Sequence, residues 1–114
     1  MANINSTIAE TTIAYPAAAV SATLTDEFIA VTRRTFDRKG SPLTIDDQDL
    51  ARAVIDIDSL TAVEILCVLD DILPFQVGES VICAGGYMSI GEAVEKIVGR
   101  VEKEWVKHHN GGKS

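Results

Sequence analysis

Apolar residues recur every three or four positions in three separate stretches of this chain, and each stretch is bounded by residues that start or stop a helix. Over residues 17–38, Val20, Leu24, Phe28, Val31 and then Thr35 or Phe36 form one stripe, which predicts a helix with a single buried face. Its start is open, because Thr23 or Thr25 can also cap it and put Asp26 and Glu27 in the first turn. Lys39-Gly40-Ser41-Pro42 ends it. A second helix is expected from Ser59 to about Leu73, stopped by Pro74. A third begins after Ser89, where Glu92 completes a capping-box pattern and Ile90, Ala93, Val94, Ile97, Val101 and Trp105 form the buried stripe.

The connections are less regular. Residues 42–57 are too many for a turn and too apolar for a free linker. Leu43, Ile45, Leu50, Val54, Ile55 and Ile57 are expected to fasten this stretch across the core, with a short helical turn about 49–54. Residues 74–88 hold Gly78, Gly85 and Gly86 around the apolar run Val81-Ile82-Cys83-Ala84, which allows a turn or two of helix about 79–84. Residues 1–16 are Thr-, Ala- and Ile-rich with no sustained period, so they read as a flexible extension, and residues 108–114 read as a disordered tail. One domain over 17–107 remains. Its pattern is that of a small all-α bundle of three principal helices plus a short one, with a long loop between the first two principal helices.

Length and charge narrow the function. A chain of 114 residues with 46% hydrophobic content makes one domain with a modest core. Its net charge of −7 argues against nucleic acid and anionic membrane surfaces as partners, since both reward Lys/Arg clusters. Acidic residues concentrate between positions 46 and 71, where Asp46, Asp47, Asp49, Asp56, Asp58, Glu64, Asp70 and Asp71 face the single basic Arg52. A solvated face explains such a run by itself; a basic protein partner is its natural complement. The first basic residue is Arg33, so no signal or transit peptide is legible, and a cytoplasmic location is expected. The early apolar stretch 13–20 contains Pro16 and falls well short of the ~20 residues that a membrane span needs, so no membrane insertion is expected. Cys67 and Cys83 lack zinc-site spacing and read as free thiols.

The second helix carries two faces. At 100° per residue, Ala62, Ile65, Leu66, Leu69 and Leu73 fall on one side and form a core stripe. Leu60, Val63, Glu64, Cys67, Asp70 and Asp71 lie toward another, mixing small apolar groups with carboxylates in the manner of a recognition surface. Val63 and Cys67 also fit the core, Cys67 above all, because a free cysteine is so often buried. At the head of this helix stands Asp58-Ser59-Leu60. An Asp or Ser there caps the first turn, and the same end favours an attached phosphate, where unpaired N–H groups and the positive end of the dipole meet.

Asp58-Ser59-Leu60 followed by Val63-Glu64, set in a small acidic helical chain, resembles the modification site of the acyl carrier protein family. The likeness spans roughly residues 21–106. Many family members have Gly before the Asp where this chain has Ile57. The resemblance implies an acyl carrier protein fold and a 4′-phosphopantetheine arm on Ser59, taken from coenzyme A by a phosphopantetheinyl transferase, with Asp58 as a flanking recognition residue. It implies acyl groups held as thioesters for fatty-acid, lipid or polyketide-type biosynthesis, so the chain is a substrate and shuttle, not an enzyme. Leu60, Val63, Glu64, Cys67, Asp70 and Asp71 match the family's docking helix, which meets acyl-loading and acyl-transferring enzymes through basic docking patches; the chain is expected to be a monomer. An acyl chain tucked beside Phe75, Val77, Val81 and Ile82 is a further expectation. The competing reading is a small acidic helical adaptor that is never modified, with Asp58-Ser59 serving only as a cap.

Other chemistries find little footing. Gly111-Gly112-Lys113-Ser114 lacks the earlier Gly and the strand–helix frame of a phosphate-binding loop. His108 and His109 have no carboxylate or Cys at metal-ligand spacing, and no Gly-x-Ser-x-Gly elbow surrounds Ser59. Asp56 and Asp58 have no companion group to separate their pKa values for acid–base work, so capping, or positioning a cation of the modifying enzyme, suits them better.

Overall fold

The computed structural model describes residues 14–110. Four α-helices form among them, and extended chain pairs only at the isolated bridge between Ile57 and Tyr87. α1 spans Ala17–Arg38, α2 Asp47–Arg52, α3 Ser59–Ile65 and α4 Ile90–Asn110. The chain is a small all-α bundle, as the periodicities predict. α1 and α4 pack against each other most extensively, and α2, α3 and the segment after α3 close over α1.

α1 has the predicted limits, but Pro16 precedes it without a side-chain cap; neither Thr23 nor Thr25 starts it. Pro suits that end because its missing N–H would have had no partner there. The buried stripe begins as expected with Val20, Leu24 and Phe28, then turns through Ile29 and Thr32. Val31, Thr35 and Phe36, expected in the core, stay only partly covered.

α2 begins two residues earlier than the expected turn, because Asp46 Oδ1 accepts the Asp49 N–H at 2.8 Å and starts the helix there. Of the loop residues expected to fasten across the core, Leu50 and Ile57 are buried and Leu43 and Ile55 are half-buried. Ile45 and Val54 are exposed, a correction to that expectation. Arg33 instead holds this loop by polar contacts, donating to Leu43 O and Ile45 O and pairing with Asp47 at 2.7 Å.

The second principal helix is α-helical only to Ile65 and continues as a 3₁₀ segment, Leu66–Asp71. Both repeats bury the same side: Ala62, Ile65, Leu66, Leu69 and Leu73 are all in the core. In 3₁₀ geometry Leu66 and Leu69, three apart, stand one above the other, so the tighter winding keeps them aligned on the core. Of the helix expected at 79–84, one 3₁₀ turn forms, Glu79–Val81.

α4 is capped as the sequence predicts. Ser89 Oγ accepts the Glu92 N–H at 3.0 Å, and Glu92 reaches back to the Met88 N–H at 2.8 Å, one residue before the usual capping-box partner. Ile90, Ala93, Val94, Ile97 and Val101 are buried, with Trp105 half-covered. The helix runs through His108 to Asn110, into the stretch expected as a tail.

Of the expected extension, residues 1–13 lie outside the described part, but Tyr15 is anchored: its hydroxyl donates to Val98 O at 2.9 Å and its ring lies 5.7 Å from Trp105. Phe75 joins them, 6.3 Å from Trp105 and 4.7 Å from His108. The chain is therefore tied down two residues before α1 begins. No helix among the described residues is long and apolar enough to cross a membrane.

Candidate functional site at the head of α3

Capping at the start of α3 falls to Asp58, not to Ser59. Asp58 is extended, and its Oδ1 accepts the Thr61 N–H at 2.7 Å. That backbone N–H, helped by the Thr61 hydroxyl and the Leu60 N–H, holds the Asp58 carboxyl below its ordinary value. Ser59 is the first helical residue and is half-buried, and its hydroxyl makes no hydrogen bond among the described residues. With Asp58 serving the first turn, Ser59 Oγ is left free for another partner. Among the described residues no base is bonded to it.

A clamp fixes the approach to this hydroxyl. Ile57 and Tyr87 exchange two backbone hydrogen bonds of 2.8 Å each, and the Ile55 N–H donates to Met88 O at 2.9 Å. The turn supplying Tyr87 is closed by Gly86 N–H to Cys83 O at 3.0 Å and by Cys83 N–H to the Tyr87 hydroxyl at 2.9 Å. Gly86 sits at φ +77, and a Cβ there would run into the Ile57 carbonyl oxygen. The Gly-rich segment is thus the buttress of the Ser59 loop. Sequence reading missed this role, although Gly85-Gly86 before a Tyr was the available signal.

The two faces of α3 and of the 3₁₀ segment that continues it separate as predicted. Leu60 is 67% exposed, Glu64, Cys67, Asp70 and Asp71 are exposed, and Val63 is half-buried beside the core. Cys67 therefore belongs to the surface, and Cys67 and Cys83 are both free thiols. Asp47 and Asp49 are paired with Arg33 and Arg52, whereas Asp56, Asp58, Glu64, Asp70 and Asp71 form no ion pair among the described residues. The negative field near Ser59 is consequently uncompensated and attracts basic surfaces. No group of three or more His, Cys, Asp and Glu suited to a metal ion occurs among the described residues.

A cleft of about 480 Å³ opens between the second half of α1 and residues 54–58. Phe28, Val31 and Phe36 give it an apolar side, and Asp58 and Thr61, which flank Ser59, are part of its wall. The region expected to shelter an acyl chain is different: Val77, Val81 and Ile82 are core residues, and Phe75 packs on Trp105 and His108. A smaller cavity of about 200 Å³, lined in part by Val63, Cys67 and Val77, lies on that side of α3.

A hydroxyl-linked arm fits these residues: the acceptor oxygen is free, the adjoining loop is rigidly held, and a neighbouring cleft has the size usual for small-molecule sites, about 300–1,000 Å³. No family model, curated protein or solved structure matches this chain.

Proposed function

We propose that this chain is an acyl carrier of the acyl carrier protein type, with a 4′-phosphopantetheine arm on Ser59. The observation that carries the reading is the division of labour at the head of α3, where Asp58 caps the helix and leaves the Ser59 hydroxyl unengaged. A serine needed only as a cap would be spending its oxygen on the backbone; this one is not.

Attachment forms a bond from Ser59 Oγ to the phosphorus that bears the pantetheine of coenzyme A. It breaks the pyrophosphate bond, releases adenosine 3′,5′-bisphosphate, and passes the serine proton to a base of the transferase. Once bound, the arm supplies a thiol on which an acyl group travels as a thioester. Leu60 offers an exposed apolar contact next to the attachment point, while Glu64, Asp70 and Asp71 draw basic docking patches of partner enzymes toward the same helix. The paired Ile57–Tyr87 segment holds Ser59 at a fixed place relative to that face.

The test is intact mass after incubation with coenzyme A, magnesium and a broad-specificity phosphopantetheinyl transferase. A gain of ~340 Da, absent in Ser59→Ala, is expected from the chemistry of the implied motif. An unchanged mass for the native chain would leave the unmodified adaptor as the better reading.

A further inference from the structure

We infer that the cleft between α1 and residues 54–58 is the resting place of the arm attached to Ser59, which lies along the free edge of that segment. The inference rests on the reading of Ser59 as an attachment site.

The segment 54–58 runs between the extended residues Ala53 and Asp58, and one edge of it is spent: Ile55 and Ile57 turn their N–H groups to Met88 and Tyr87. The other edge is not. The backbone N–H and C=O groups of Val54 and Asp56 make no hydrogen bond among the described residues, and both residues line the cleft. A strand whose alternate amides pair on one side presents the remaining amides on the other, so the cleft has an unpaired main-chain edge as one wall.

The opposite wall is α1. Phe28 and Thr32 of its buried stripe line the cleft together with Val31, Thr35 and Phe36, which the rest of the chain covers only in part. One wall therefore asks for amide groups and the other for hydrocarbon. A pantetheine arm supplies both, since it is an extended chain with two amide bonds and alkyl segments between them. Pairing an added extended chain with an open edge is the physics of strand addition, reduced here to a tether. Asp58 and Thr61 line the cleft, so the attachment residue lies one residue along the chain from its wall, within reach of a long flexible arm.

The test compares isotope-labelled native chain before and after enzymatic attachment of the arm, by intact mass and by amide NMR. The expected result is a mass gain in which the shifts beyond the immediate neighbours of Ser59 fall on Val54, Asp56 and the α1 residues 31–36, with amide exchange at Asp56 slowed roughly three- to tenfold, the worth of one net hydrogen bond. Thr35→Trp, which fills the cleft from its rim, should still accept the arm and lose that slowing. A mass gain with Asp56 and α1 unmoved, or with the shifts beyond the neighbours of Ser59 falling on Val63, Cys67 and Val77 instead, overturns the cleft assignment and leaves the attachment site standing. No mass gain overturns the attachment site first, and the arm's resting place with it.

Discussion

Ile57 and Tyr87 hold each other by two backbone hydrogen bonds of 2.8 Å each, across thirty residues of chain that contain the whole of α3. This pair makes the loop before Ser59 part of the folded body, and its closeness depends on Gly86. Both Ile57 and Tyr87 are buried, so the clamp is also a piece of core.

Replacing Gly86 by alanine should therefore be one of the more damaging single-atom changes in the molecule. The new Cβ meets the Ile57 carbonyl oxygen in a left-handed conformation, and a loss of about 1–3 kcal/mol is expected. Gly40 has a similar φ of +80 but nothing within 4 Å of its Cβ position, so Gly40→Ala should lose only about 1 kcal/mol. Urea unfolding of the two variants checks the difference, and equal losses would show that the contact with Ile57 is unimportant.

Along α3 and the 3₁₀ segment that continues it, Leu69→Ala and Leu60→Ala should behave oppositely. Leu69 is fully buried, and its truncation should destabilise the fold by about 2–5 kcal/mol. Leu60 is 67% exposed, and its truncation should change stability by no more than about 0.5 kcal/mol. Under the proposed function, Leu60→Ala slows modification of Ser59 while leaving the melting curve in place. Kinetics of mass gain beside thermal unfolding separates the two effects.

Asp58 should contribute to stability in a pH-dependent way. Its folded-state pKa is lowered, chiefly by the Thr61 N–H, so the ionised cap favours the folded state above the ordinary aspartate value. That contribution fades as the pH falls through the lowered value, where both states bind the proton. The stability gap between the native chain and Asp58→Ala is expected to be full at neutral pH and to close in acid. A gap that persists unchanged in strong acid would contradict a cap held by the ionised carboxylate, and Asp58→Asn should recover part of the neutral-pH loss.

Tyr15 titrates on the alkaline side. Burial, with a smaller effect from Glu102, pushes its hydroxyl up to about 12. Because the folded state favours the neutral phenol, this contribution is complete below the ordinary value of 10.0 and is lost as the pH rises toward 12. Tyr15→Phe removes the hydrogen bond to Val98 O and should lose about 1 kcal/mol near neutrality. Phenolate absorbance against pH, compared between the native and Phe chains, reports the displaced titration.

Much of the scaffold was legible because helix burial repeats every three to four residues and caps are local. The limits of α1, the Ser89–Glu92 cap and the core side of α3 each depend on neighbours within one or two turns. The passage from α- to 3₁₀-helix after Ile65 was not legible, since Leu66, Leu69 and Leu73 are spaced for burial in either winding. The exposure of Val54 was equally hidden: an apolar residue in an apolar loop gives no sign that its neighbours will be claimed by a segment thirty residues away.

At the candidate site, short-range chemistry placed Asp58 and Ser59 at a helix start, but which oxygen would cap it had to be read from geometry. Both side chains suit that task, and the extended Asp58 backbone aims its carboxylate at Thr61. The order of helices, the acidic field and the two faces of α3 follow from the residues themselves. The clamp on Ile57, the buttressing by Gly86 and the cleft beside Ser59 exist only once distant segments meet. Each is a pairing of backbone or shape across the chain, and periodicity along one segment carries no information about its partner.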